Sequence, residues 1–308
     1  MNVRQMPASP PVSRAISQRA WIMLLVLGAI WGGAFFFARI AVQEIPPLAL
    51  VLLRVALAAT VMHLVLLPMR ISFAQVLPHW PAFLGLAMLN NVIPFSLMFA
   101  GQTEIGAGLA SVLNATTPFW TMLLANALLP DEKLTAQRAA GIVLGIAGTA
   151  VMVGPGLIGG LGGPVWAKFA LLGTALSYGF AGIYTRRVIT LRPELMATGQ
   201  LTASTAIMLP VVLLTQDPGF FATASGTAWG AVLGLAVIAT ALAYLIFFRL
   251  LAEAGATNTS LVTLIVPVSA ILLGTLFLGE RLESFELAGM GLIGLGLLVI
   301  DGRLLRRR

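Results

Sequence analysis

The sequence predicts an all-α membrane protein, ten transmembrane helices in two inverted five-helix repeats, and three observations carry that prediction. Hydrophobic residues make up 59% of the 308-residue chain and charged residues only 9%, with a mean hydropathy of +0.98. That leaves too little polar surface to clothe a water-soluble domain. Ten apolar stretches, each near the roughly 20 residues a helix needs to cross the hydrocarbon core, fill most of the length. The second half also matches the first, position for position, at an offset of 146 to 149 residues.

In chain order, residues 1–18, with Pro7, Pro10 and Pro11, read as a disordered cytoplasmic tail. Spans are expected at 20–42, 46–67, 80–100, 106–129, 136–154, 165–185, 194–214, 227–249, 256–278 and 284–301. The first is too long for a signal peptide and lacks a small-residue cleavage site, so it anchors the chain. The continuous apolar run from Ala231 to Phe248 excludes the alternation of a membrane β-barrel. These spans divide into a first repeat at 19–154, a Gly-rich linker at 155–164, a second repeat at 165–302 and a basic cytoplasmic tail at 303–308.

Charge sets the expected orientation. With the N-terminus in the cytoplasm, 14 of the 18 basic residues fall on the cytoplasmic side, among them Arg70, Lys133, Arg138, Arg249 and Arg306 to Arg308. That bias favours two cytoplasmic termini. The net charge of +7 therefore reflects membrane boundaries and gives no reason to invoke nucleic acid. With no cysteine there is no disulfide, thiolate metal site or catalytic thiol.

The internal repeat is positional. Gly33, Pro47 and Arg54 fall opposite Gly179, Pro193 and Gln200. Phe99, Gly106, Ala107, Ser111 and Pro118 fall opposite Phe248, Gly255, Ala256, Ser260 and Pro267 without a gap. Glu132-Lys133-Leu134 then aligns with Glu280-Arg281-Leu282. Five spans per half force the second half to enter the bilayer upside down, a symmetry characteristic of carriers that expose a midplane site to each side in turn.

Residue types suggest where that site lies. Ser111, Asn114 and Pro118 share one face of the fourth span, and Ser260, Thr263 and Pro267 share the matching face of the ninth. Pro94, Pro118 and Pro267 each free a backbone carbonyl and are expected hinges. Asn90 and Asn91 in the third span, and Thr240 and Tyr244 in the eighth, add uncharged hydrogen-bonding groups that either line a pathway or stitch helices together. Trp31, Phe95, Tyr178 and Tyr244 could wall the site with apolar faces. The substrate-binding set is thus Trp31, Asn90, Asn91, Phe95, Asn114, Tyr178, Tyr244 and Thr263. Arg54, within the second span, could attract a substrate carboxylate or brace the bundle through carbonyl contacts, the second being preferred.

Other chemistry is not supported. Acidic residues fall in loops or near helix ends, so no central carboxylate offers itself as a proton carrier. Residues 154–159 and 289–294 match the dinucleotide glycine pattern outside any βαβ unit. The first reads as a flexible loop, and the second as a small-residue surface for close helix packing through which two copies could dimerise. No catalytic constellation, cofactor motif or metal site stands out, His63 and His79 being too few for a metal.

The chain resembles the drug/metabolite transporter superfamily, specifically its ten-helix EamA-type members. Ala29-Ile30-Trp31-Gly32-Gly33-Ala34-Phe35, Pro47 followed by Arg54, the Ala110 to Pro118 segment and the paired Glu132 and Glu280 motifs carry the likeness. The resemblance implies a bacterial inner-membrane carrier with a central cavity between its halves, exporting a small metabolite such as an amino acid, aromatic ones included. It also implies that the segments bearing Asn90, Asn91, Asn114, Tyr244 and Thr263 line that cavity.

Overall fold

A computed structural model describes residues 17–129, 133–159, 163–188, 191–259 and 261–301, and every regular element among them is helical. The tails, Ser260 and residues 160–162 of the linker lie outside the described residues, apart from Ser17 and Gln18 of the first tail.

Local chemistry sets where the helices begin. Helix α1 (Gln18–Ala41) starts where the Ser17 hydroxyl accepts from the Ala20 N–H at 3.1 Å. Helix α2 (Pro47–Leu66) starts on a proline, whose missing N–H would be unpaired at that position anyway. The third span runs over Phe73–Gln102 in four pieces, a 3-10 turn Phe73–His79, α3 (Trp80–Ala87), a π-helical segment Met88–Val92 and α4 (Ile93–Gln102). The fourth span, expected as one helix, is two: α5 (Ala107–Asn114) and α6 (Thr117–Leu128). Pro118 cannot donate to Asn114, so the helix restarts around it. Its repeat mate Pro267 instead lies inside a continuous helix.

Helix α7 (Ala136–Gly159) runs past Pro155, so the glycine pattern at 154–159 is helical where a loop was expected. One missing N–H in a last turn is a small loss. Then come α8 (Val165–Val188), α9 (Pro193–Thr215), the short α10 (Phe220–Thr223), α11 (Gly226–Leu233), a second π segment Gly234–Leu242 and α12 (Ala243–Thr259). The chain turns inside α12 at Gly255, whose φ of 76° suits glycine, before α13 (Val262–Leu278) and α14 (Ser284–Asp301). Among the described residues seven helices are long and apolar enough to cross a membrane, and α5 with α6, α8 and α13 occupy the remaining predicted spans. Leu213, Leu214, Leu276 and Phe277 point outward, as lipid-facing side chains do.

Packing follows the repeat. The first span lies against the ninth as the sixth lies against the fourth, and α2 meets α9 between the halves. At the periphery α7 packs on α14 through glycines. A Cβ on Gly141 would stand 2.6 Å from the Gly296 carbonyl, and one on Gly148 would stand 2.6 Å from that of Gly289. The small-residue surface is therefore used inside the chain. Gly291 and Gly294 of the same motif meet nothing.

Candidate functional site

Two π segments meet the opposite repeat at the centre of the bundle. A π turn leaves one backbone position per insertion out of the usual ladder and re-aims its side chains, which is why such turns recur at functional sites. Met88–Val92 and Gly234–Leu242 occupy equivalent stretches of the third and eighth spans. In the second, the Thr240 hydroxyl donates to the Leu235 carbonyl at 2.8 Å, closing the widened turn.

Arg54 reaches the second π segment. Its Nε donates to Thr240 Oγ1 at 2.9 Å, and its guanidinium carbon lies 3.8 Å from the centre of the Phe95 ring and 5.8 Å from that of Phe99. The side chain is 6% exposed. The expected carbonyl contacts are not found; the partners among the described residues are a hydroxyl and aromatic faces. Tyr244 of α12 lies one helical turn beyond Thr240, and Tyr178 of α8 follows Ser177, whose hydroxyl donates to the Leu89 carbonyl of the first π segment at 2.7 Å. From Tyr244 a chain of rings continues through Phe248 at 6.3 Å and Phe247 at 5.3 Å to Trp31, 5.5 Å further on. Thus Trp31 and Tyr244 belong to one chain of rings, and Phe95 flanks Arg54.

The asparagines of the third span do something different. Asn90 Nδ2 donates to Gln200 Oε1 at 3.0 Å and Asn91 Nδ2 to Ser204 Oγ at 2.8 Å, so both bridge the first π segment to α9 of the other repeat. This is the stitching alternative, with one difference: the Asn91 Oδ1 stays buried without a partner among the described residues. Asn114, last residue before the break in the fourth span, likewise buries an unpaired Oδ1. A sealed amide oxygen is costly and marks a place where a donor is missing. Ser111 bonds back to the Gly108 carbonyl, and Pro94 offers its carbonyl to Thr174 at 3.1 Å.

A second polar layer, whose partners the sequence does not show, closes the face of the bundle away from the chain ends. Glu280 accepts from the N–H groups of Ala107 (2.8 Å) and Gly108 (3.1 Å), tying the second repeat to the first turn of α5. Gly106 and Gly274 leave room for that carboxylate, since a Cβ on either would overlap it. Glu44 bonds both the N–H and the hydroxyl of Ser225, and Arg39 donates to the carbonyls of Gln102 and Thr103. Arg39, Glu104, Glu280, Arg281, Glu283 and Glu286 help line a cavity of about 230 Å³ here. Sequence reasoning also missed that Lys168 and Glu286, near the ends of their helices, are buried.

With this geometry in hand, known proteins sharpen the picture. The sequence profile described as "EamA-like transporter family" matches residues 18–154 and again 165–301. The uncharacterized inner membrane transporter YedA of Escherichia coli is 30% identical over 283 residues, 88% of this chain and 86% of that protein. The uncharacterized transporter YvbV of Bacillus subtilis is 27% identical over 278 residues, 89% of each. A Salmonella typhimurium protein named "Probable amino-acid metabolite efflux pump" is 27% identical over 297 residues, 92% of this chain and 95% of that protein. One crystal structure, 19% identical, superposes with a TM-score of 0.66 over 94% of this chain and 99% of that one, which speaks to the fold alone.

Proposed function

Because the chain belongs to the EamA-like transporter family, and is therefore a multi-pass membrane transporter, we propose that it exports small organic metabolites by alternating access, with amino acids as the favoured class. The observation that carries this reading is the pair of bridges that crosses between the repeats, Arg54 to Thr240 and Asn90 to Gln200, each landing on a π segment. Two inverted halves joined through widened helical turns can rock about a central site without breaking a continuous ladder. The Salmonella relative's name supports the substrate class. The ring chain from Trp31 to Tyr244 supports aromatic or other hydrophobic side chains within it.

The charge distribution supports a bacterial inner-membrane setting with both termini in the cytoplasm. The face closed by Glu280, Glu44 and Arg39 is then periplasmic. The test is uptake of labelled amino acids into liposomes holding the purified protein, against empty liposomes, with and without an imposed proton gradient. Saturable uptake that needs no gradient is expected, since no carboxylate stands beside Arg54 among the described residues. No uptake of any amino acid under either condition would sink the substrate class and turn attention to drugs or other metabolites.

A further inference from the structure

Arg54 carries a charge for which the described residues provide no counter-ion. The guanidinium stays protonated at any physiological pH. Beyond the Nε bond to Thr240 and the Phe95 face, its two terminal nitrogens donate to no described residue, and no carboxylate pairs with them. Those nitrogens keep some accessible surface, unlike the sealed, unpaired oxygens of Asn91 and Asn114. Tyr178 and Tyr244 also make no hydrogen bond with a described residue through their phenols. The guanidinium edge and both phenols thus keep unused donors among the described residues.

The repeat shows that the fold does not demand the charge. The equivalent position holds Gln200, and a neutral amide bond to Asn90 joins the halves there. A buried unpaired cation is costly, so its presence on one side alone points to a ligand that brings the anion. A planar guanidinium held against a ring presents its N–H edge, and the group that fits such an edge in two parallel bonds is a carboxylate. A dianionic phosphate would call for more than one cation, and no second cation contacts Phe95 or Thr240 among the described residues.

We propose that Arg54, assisted by the hydroxyls of Tyr178 and Tyr244, binds the carboxylate of the transported molecule, with Phe95 fixing the guanidinium plane. This rests on the transport reading for the owner of the carboxylate. The anion site itself is tested without it.

Purified full-length protein is titrated with phenylacetate and, separately, with phenylacetamide while its melting temperature is followed. Saturable stabilisation by the carboxylate and none by the amide is expected. Arg54→Gln should weaken phenylacetate at least about tenfold, and Arg54→Lys should fall between the two. Equal stabilisation by acid and amide, no stabilisation by either, or an Arg54→Gln protein that binds phenylacetate as wild type does, would each overturn the site. Should Arg54→Gln fail to fold, the wild-type contrast still decides. The Tyr178→Phe, Tyr244→Phe double variant then supplies the second reading: a several-fold weakening for the carboxylate supports the site and an unchanged affinity refutes it. Arg54-dependent phenylacetate binding without uptake of labelled amino acids would sustain the anion site while ending the amino-acid reading.

Discussion

The two repeats build the same bridge out of different chemistry. In one direction a second-span cation, Arg54, reaches the π segment of the eighth span; in the other a second-span amide, Gln200, meets the π segment of the third. Both residues are equally buried, at 6% exposure. The fold needs a polar contact at this crossing, because a π turn in an apolar bundle offers few other partners, and an amide pair meets that need at lower desolvation cost. The paired prolines also differ: Pro118 stands just after the break in the fourth span, whereas Pro267 lies well inside α13, which begins at Val262. Symmetry therefore accounts for the scaffold, and the departures from it locate the chemistry in the half that carries Arg54, Phe95 and Asn114.

The largest expected effect comes from making the halves alike in the costly direction. Gln200→Arg places a second buried charge against the neutral amide of Asn90, and should destabilise by on the order of 3 kcal/mol, read as loss of monodisperse protein in detergent. Arg54→Gln makes them alike in the other direction. Transport should fall at least about tenfold while the melting temperature holds or rises, because replacing an unpaired buried charge by a neutral group is often neutral or stabilising. A marked drop in melting temperature for Arg54→Gln would show that the charge is structural and that the asymmetry has been misread.

Much of the scaffold is legible in the sequence because the bilayer permits little else. A chain with 9% charged residues and ten apolar stretches must form helices, and the offset of Gly106, Ala107 and Pro118 from Gly255, Ala256 and Pro267 announces the duplication. The site is legible only in residue type. Asn90, Asn91 and Thr240 stand out as polar groups in apolar spans, yet whether each faces a cavity or a neighbouring helix turns on the π segments, which no composition signal marks. Pairing Arg54 with Gln200 in the repeat was available from the start, and it carries the contrast between them. Glu280 could be found as half of a repeated Glu motif, but its partners are backbone N–H groups more than 170 positions earlier in the chain, and backbone donors leave no trace in a sequence.

Removing Glu280 tests whether the closed face is held by the second repeat. Glu280→Ala strips two acceptor bonds from the start of α5 and opens a space lined by Gly106 and Gly274. A loss of about 1–3 kcal/mol is expected, together with faster labelling of a cysteine introduced at Leu109 from the side opposite the chain ends. Glu280→Gln, which keeps one acceptor, should lie between. Smaller again is Asn90→Ala, since hydrogen bonds between membrane helices average about 0.6 kcal/mol. If it lowers transport as much as Arg54→Gln does, the two bridges are functional equals and the contrast drawn between the repeats fails.

The smallest effect concerns pH. Glu44 in the first loop is held below its ordinary value of 4.5, first by the backbone N–H of Ser225 and then by its hydroxyl. A carboxylate whose folded pKa is depressed contributes stability that is fully present above its unfolded value and is lost as pH falls through the folded one. The strap between the first loop and the start of α11 should therefore hold at neutral pH and loosen only below about 4.5. Glu44 is fully exposed, so screening keeps the contribution small. Hydrogen exchange at Gly226 to Trp229, compared at neutral and acid pH, should show extra opening in acid that Glu44→Gln removes. Acid-induced opening that persists in Glu44→Gln would assign it to another group on this face, with the buried Glu286 as the next to replace.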